Sequence, residues 1–208
     1  MAFLEDAVLG KLTVAHSLVS KPSSVPPVGY TLGAPTTGTL TAVFDKIGPF
    51  YRAIFTLASA NMPWTAASGV GAFGGLTLLT LPKGVHRINE CIQLYPQSTG
   101  FISGTASLAF KVGVGSVLLA ASADAALTST SVDIGSASAT ITLNATPALG
   151  NSTAATKTIN VSVAIPDGIA TAPIIVLNAC ASNSTTADGS TLAVSGTIIV
   201  VWDTLYKV

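Results

Sequence analysis

Few groups in this chain carry reactive chemistry. There are two histidines, His16 and His86, two cysteines, Cys91 and Cys180, and nine acidic side chains against nine basic ones. A Ser–His–Asp arrangement can be drawn around His86, but no G-x-S-x-G elbow presents a nucleophile. With so many serines, chance proximity to a histidine is expected, and His86 reads as an outward strand residue beside Arg87. The cysteines have no CxxC partner and no histidine cluster, so zinc spacing is absent. Two reduced, mostly buried thiols are expected. Asp124 and Asp133 bracket the stretch before VDIG and are candidates for calcium or acid–base work, yet neither spacing nor partners favour this. Both read as turn residues that bond nearby backbone N–H groups. GVGAFG at 69–74 matches GxGxxG, but a dinucleotide site needs a strand before it and a helix after it. Here PWTAAS precedes and LTLLTL follows, so a flexible glycine loop is expected. The sequons at Asn144, Asn151, Asn160 and Asn183 are what composition alone supplies. No catalytic residue, cofactor or metal is expected, and the chain does not read as an enzyme.

The composition explains this shortage. The chain has 208 residues, of which only 9% are charged, and its formal net charge is zero. Ala occurs 31 times, Ser and Thr together 47 times and Gly 19 times. A disordered chain needs low hydrophobicity and high charge; this one is 49% hydrophobic with mean hydropathy +0.64. A nucleic-acid binder needs a basic surface, which nine balanced cations do not supply. The uncharged run 53–82 holds Asn61, Pro63 and several glycines, so it does not read as a membrane-spanning helix. Residues 111–201 contain no Phe, Tyr or Trp, which argues against the aromatic girdles of an outer-membrane barrel. Glu5 and Asp6 stand where a signal peptide carries Lys or Arg, so synthesis in a cytoplasm without Sec-type export is expected.

The elements that would position these residues are strands. Residues 21–38 carry Pro22, Pro26, Pro27 and Pro35, and proline fixes φ and removes a donor, so an extended course is favoured. Residues 1–38 read as an N-terminal arm and 39–208 as one domain. After Gly38 apolar residues recur with period two, the signature of half-buried strands. Tyr51, Ala53, Phe55 and Leu57 share a face, as do Ile88, Ile92 and Leu94, and Ala106, Leu108, Phe110 and Val112. Val117–Ala121 is a short apolar run, and residues 61–64 form a turn ahead of Trp64. Ile159, Val161, Val163 and Ile165 face in, and Trp202 alternates in phase with Val194, Ile198 and Val200. About ten short strands with Gly, Pro, Asn and Asp between them predict an all-β sandwich. The final strand, SGTIIVVW, is apolar enough to aggregate at an open edge, so a central place or a neighbouring subunit is expected for it.

Five segments in order resemble a family of small structural proteins of tailed bacteriophages, marine phages among them. They are YRAIFTLASANMPW, GGLTLLTLPKGVHRI, ALTSTSVDIGSASATI, IIVLNACA and LAVSGTIIVVWDTL. The family pattern has an L-x-x-L-P-x-G turn, then A-L-T-x-T-x-V-D-I, then a closing V-x-G-T-I/V-x-V-x-W strand. The likeness spans roughly residues 50–205. Residues 1–49 do not align, and DGIATAP at 167–173 stands where the family has F-D-G-T-x-T-A. The resemblance implies a virion component with a jelly-roll β-sandwich. It also implies a decoration or cement protein on the capsid surface, a homotrimer whose partner is the major capsid protein.

On that reading the arm is the docking element, with Phe3, Leu4, Val8, Pro22, Pro26, Pro27, Tyr30 and Pro35 as its interaction residues. Another virion subunit, of tail, fibre base or coat, is the nearest alternative. A fibre should show internal repeats, and none is found. A lectin or adhesin module is the non-viral alternative, but the sequence does not gather Trp, Tyr, Asn and Asp on loops as a sugar site would.

Overall fold

The computed structural model describes residues 21–67, 71–95, 108–119, 127, 131–135, 141–143, 155–165, 171–181 and 191–207. Ten strands make up the described fold. They are β1 (Thr31–Leu32), β2 (Thr39–Ile47), β3 (Phe50–Ala67), β4 (Gly71–Thr80), β5 (Gly84–Tyr95), β6 (Leu108–Gly115), β7 (Ile141–Leu143), β8 (Ala155–Ile165), β9 (Ile174–Ala181) and β10 (Thr191–Lys207).

The pairing is that of a long two-stranded ribbon rolled on itself. β3 pairs with β10, β4 with β9, β5 with β8 and β6 with β7, all antiparallel. The ribbon closes through β10 on β5 and β9 on β6. Two four-stranded sheets result, in the orders β3-β10-β5-β8 and β4-β9-β6-β7. This order is the jelly roll, which strand alternation by itself cannot reveal. β2 adds a fifth strand beside β3, and β1 lies on the edge of β4. The apolar last strand is central, between β3 and β5, so its backbone groups are paired on both sides and no sticky edge is presented.

One strand belongs to both sheets. β3 follows β10 as far as Pro63 and then pairs with β4 from Trp64 to Ala67. The expected turn at 61–64 is therefore strand. Pro63 sits at the corner where β3 leaves one partner for the other, the place where a missing N–H costs least. Likewise Gly71 and Gly74 of the expected glycine loop lie in β4, with Gly74 opposite Ala179 of β9.

Alternation builds the core. Ala53, Phe55 and Leu57 of β3 and Ile198, Val200 and Trp202 of β10 meet Leu79, Val114, Ile175 and Leu177 of the second sheet. The register slips at several points, and two bulges mark where alternation loses its phase. In β5 the register slips between Ile88 and Glu90, because a bulge sets two residues against one. Ile88 is buried, but beyond the slip Cys91 and Gln93 point inward and Ile92 does not. The shared face expected for Ile88, Ile92 and Leu94 is broken there. The described part of the Val117–Ala121 run, residues 117–119, is not strand: Val117 and Leu118 are exposed, and Leu119 turns in to a separate small cluster.

The second bulge lies between Val194 and Gly196. Ser59 opposite adopts φ 48°, and its N–H donates to Ser195 Oγ at 2.9 Å. Gly38 passes close over this point with φ 73°, and a Cβ there would lie 1.9 Å from the Ser59 carbonyl oxygen. A side chain at Gly38 meets both a left-handed φ and rigid backbone. Gly38→Ala should therefore lower the unfolding free energy by more than about 1 kcal/mol in urea titration. An unchanged midpoint would show that this crossing is not constrained.

Candidate interaction surface

Most groups singled out for chemistry are structural. His86 is not outward: it is fully buried on the inner face of β5. Its Nε2 lies 2.9 Å from the Pro82 carbonyl oxygen, so that nitrogen donates. Nδ1 lies 3.1 Å from Thr204 Oγ1. A ring so held joins the turn after β4 to the end of β10. Asp133 accepts from Ser116 N–H at 2.8 Å and from Ser116 Oγ at 2.6 Å, closing the 116–133 loop. Asn160 lies in β8. Asp124, His16 and the sequons at Asn144, Asn151 and Asn183 lie outside the described residues. Among the described residues no three His, Cys, Asp or Glu side chains gather as metal ligands.

Both cysteines are free and buried. Cys91 belongs to the main core and Cys180 to the small cluster with Leu119 and Leu127. Burial pushes the Cys91 thiol up to about 12, and the neighbouring Glu90 charge adds to this. Thiolate is the reactive form, so the Cys91 thiol is held in its unreactive state, and Cys180 is shielded by burial.

The segment 21–38 lies against the sandwich as a strap. It starts beside β2, where Ser23 and Phe44 exchange backbone hydrogen bonds of 2.8 and 2.7 Å. It crosses to the second sheet, where Thr31 and Leu32 pair with Thr80 and Leu79. It then returns, with Thr37 accepting from Asn61 N–H at 2.9 Å. Tyr30 anchors it. Its ring is buried, 5.7 Å from Tyr51 and 5.8 Å from Trp202 between centroids. Pro22 is exposed, and Pro26, Pro27 and Pro35 are half-buried. Tyr30 thus faces the core, whereas Val25 and Val28 are the strap's exposed apolar side chains. Phe3, Leu4 and Val8 lie outside the described residues.

The two sheets treat their outer faces differently. Against that of the second sheet lie described residues that follow β6. Asn178 of β9, fully buried, accepts from Leu119 N–H at 2.9 Å and donates to the Val117 and Ser131 carbonyls at 2.9 Å each. Leu119, Leu127 and Val132 pack there with Cys180 and Phe73. Gly75 permits the approach, since a Cβ there would lie 2.5 Å from Leu118.

On the first sheet the register lays out rows across the outer face. Val43, Ile54, Ile199 and Ile92 form one row over four strands. The next runs Asp45, Arg52, Val201, Glu90, and the next Ile47, Phe50, Asp203, Arg87. Arg52 grips Asp45 with Nε at 3.1 Å from both oxygens and Nη2 on Oδ2. Arg87 grips Asp203 with bonds of 3.0 and 2.9 Å, and Asn89 adds a third at 2.9 Å. Burial opposes ionisation of Asp203, but the hydrogen bonds from Arg87 and Asn89, with the guanidinium charge, outweigh it and hold the carboxyl below its usual range. The aspartates are nearly covered, at 6% and 10% side-chain exposure, while each arginine side chain is 40% exposed. The face therefore carries one apolar row beside two made carboxylate–guanidinium pairs, with Glu90 as a further acid group. Sequence reading finds the alternation on each strand but not these rows, because they depend on which strands pair.

Two measurements check this surface. Neither cysteine should react with a thiol reagent at pH 8 until denaturant unfolds the chain; rapid labelling of the native protein would contradict the packing. Asp203 has a lowered folded pKa, so its stabilisation is present above the unfolded value of about 3.9 and lost as pH falls through the folded one. Asp203→Asn should therefore flatten the acid limb of stability against pH below about 4. Parallel acid limbs would show that the pair contributes nothing.

No protein-family model matches the chain, and no curated protein matches it. Among solved structures it is similar to that of the infectious bursal disease virus Gx strain, at 15% identity and a TM-score of 0.24. The match covers 88% of this chain and 42% of that one, so the chain spans less than half of that protein's length. The jelly-roll assignment stands on the strand order, not on this likeness.

Proposed function

We propose that this chain is a structural subunit of a virus particle, a capsid decoration or cement protein of the tailed-phage kind. It acts by binding, as a homotrimer seated on the major capsid protein at the capsid surface, and stabilises the shell without catalysis. The observation that carries this reading is the asymmetry of the sandwich. Described residues after β6 lie against one sheet, while the other offers an outer face with an apolar row, two of whose three carboxylates are already paired with guanidinium groups within the sheet. A partner that covers those pairs strands neither of their charges, because breaking a buried pair is what costs most. The scarcity of charge, a liability for free copies, is tolerable in a fixed shell. The family-like segments, in order along the chain, support the phage assignment.

Two experiments test it. Density for this chain on purified particles should lie on the capsid surface; density on the tail would overturn the decoration reading. Removing residues 1–20 should leave a folded domain that occupies capsids poorly, and unchanged occupancy would remove the arm from docking. The deletion stops at residue 20 because Tyr30 and the strap belong to the core.

A further inference from the structure

We propose that the end of the sandwich carrying Val28, Ile47, Phe50 and Leu205 is the contact by which this chain docks on the shell, and that it takes an apolar hollow rimmed by acid groups on the partner protein. This rests on the proposed function for the identity of the partner. The residues themselves give the contact and its chemistry.

Four of the eight large hydrophobic side chains exposed among the described residues gather at this end: Val28 at 98%, Ile47 at 47%, Phe50 at 38% and Leu205 at 53%. The register places them. Ile47 stands opposite Phe50 at the tip of the β2–β3 hairpin, and Phe50 stands opposite Asp203, so Leu205 lies just beyond. Lys207 stands opposite Gly84, which brings in the turn between β4 and β5. A Cβ on Gly29 would lie 3.3 Å from Pro82 of that turn, so Val28 sits beside it. Ile47 and Phe50 also belong to the last row of the first sheet's outer face, so this end continues that face.

The backbone holds each of these side chains out. Tyr30 N–H donates to the Pro27 carbonyl at 3.0 Å, and Gly29 adopts φ 88°. Val28 is therefore the corner of a tight turn whose next anchor, Tyr30, is buried in the core. Gly48, at φ 61°, turns the hairpin. The slip in register between Thr204 and Tyr206 leaves Leu205 outside the pairing. Apolar corners fixed in this way suit a shaped protein surface. A lipid surface requires no fixed spacing, and its usual anchors are Trp and Tyr, whereas these tips are Val, Ile, Leu and one Phe.

Charge gives the sign of the partner. Lys46 and Lys83 are exposed at this end, and Lys207 closes β10. With Arg52 and Arg87 they set five cations against Asp45 and Asp203, the two aspartates already gripped within the sheet. Glu90 lies further along β5. Two copies meeting by this same end would set lysines against lysines, so acid groups on a different protein are the complement.

The test measures uptake of the full chain by shells of the major capsid protein alone. The unaltered chain should bind and should weaken as salt rises from about 50 to about 500 mM. Val28→Ser and Leu205→Ser should each weaken uptake about fivefold, and Lys83→Glu should weaken it further at low salt. Lys157→Glu, opposite Gln93 at the other end of β5, should leave it unchanged. Circular dichroism would verify the fold of each variant. Shells that take up all variants as they take up the unaltered chain overturn this inference and leave the proposed function standing. Shells that refuse the unaltered chain overturn the proposed function and this inference with it. An equal loss in Lys157→Glu overturns the placement at this end. Binding to vesicles of phosphatidylcholine and phosphatidylglycerol that Val28→Ser and Leu205→Ser abolish, with shells indifferent to both, assigns the end to lipid and overturns the protein partner.

Discussion

Sheets of small side chains pack closely, and from residue 111 to 201 this chain has no aromatic ring to widen the gap between them. Volume at the end of the sandwich must come from elsewhere, and three rings from distant positions supply it. Trp202 stacks on Tyr51 with centroids 5.7 Å apart and planes 16° apart, and Tyr30 tilts against both. Trp202 is the largest fully buried side chain. Its strand is the central one, and Tyr51 lies directly opposite in register. Aromatic contacts of this kind exceed their area burial by about 0.5–1.5 kcal/mol each. More important is what they join. Tyr30 pulls the strap across the gap between the sheets, so the prolines on either side of it are held in place rather than left as a free linker. Lys46 sits 5.0 Å over the Tyr51 ring and caps the same cluster from β2.

The second constraint is the small number of charges. A sheet face made of Lys and Glu solvates itself, whereas this chain writes its outer faces in Thr, Ser and β-branched residues. On the first sheet two of its acids face arginines across adjacent strands, Asp45 opposite Arg52 and Asp203 opposite Arg87. The bidentate fork fixes both groups. Each pair also locks register, because a one-residue slip moves every side chain to the other face. The pairs therefore hold β2 to β3 and β5 to β10 at the end of the sheet where β10 carries its irregularities.

What was legible in the sequence is local. Alternation in Thr39–Phe44, in Tyr51–Leu57 and in Val194–Trp202 gave the strands and their inward faces, because each strand is buried on one side only. Where burial is two-sided the signal fades: β9 is buried on both faces from Ile175 to Cys180, so IIVLNACA reads only as an apolar run. Phase is lost where the backbone inserts a residue, as between Ile88 and Glu90, since no side chain announces the slip. His86 reads as polar and therefore outward, yet Pro82 and Thr204 satisfy it inside. The partners that reveal this lie across a turn and 118 positions away. Tyr30 reads as part of a proline arm because its stacking partners, Tyr51 and Trp202, are remote in sequence. For the candidate surface, each Ile, Val and Arg was visible singly. The rows were not, because the order β2-β3-β10-β5 joins the second, third, last and fifth strands of the chain.

The two outer faces then follow from one another. Among the described residues, Val117–Leu119 and Ser131 are held against the second sheet by the three hydrogen bonds of Asn178 at the centre of β9. Asp133 accepting from Ser116 ties the two described pieces together. The strap is likewise committed to the edge, with Tyr30 in the core and β1 on β4. Among the described residues, the segments beyond the strands are thus spent on one sheet and one edge. The first sheet meets its exposure within its own plane, by sinking Asp45 and Asp203 beside arginines and lining Val43, Ile54, Ile199 and Ile92 in one row. The two pairs made in that way keep their partners when something apolar is laid on them.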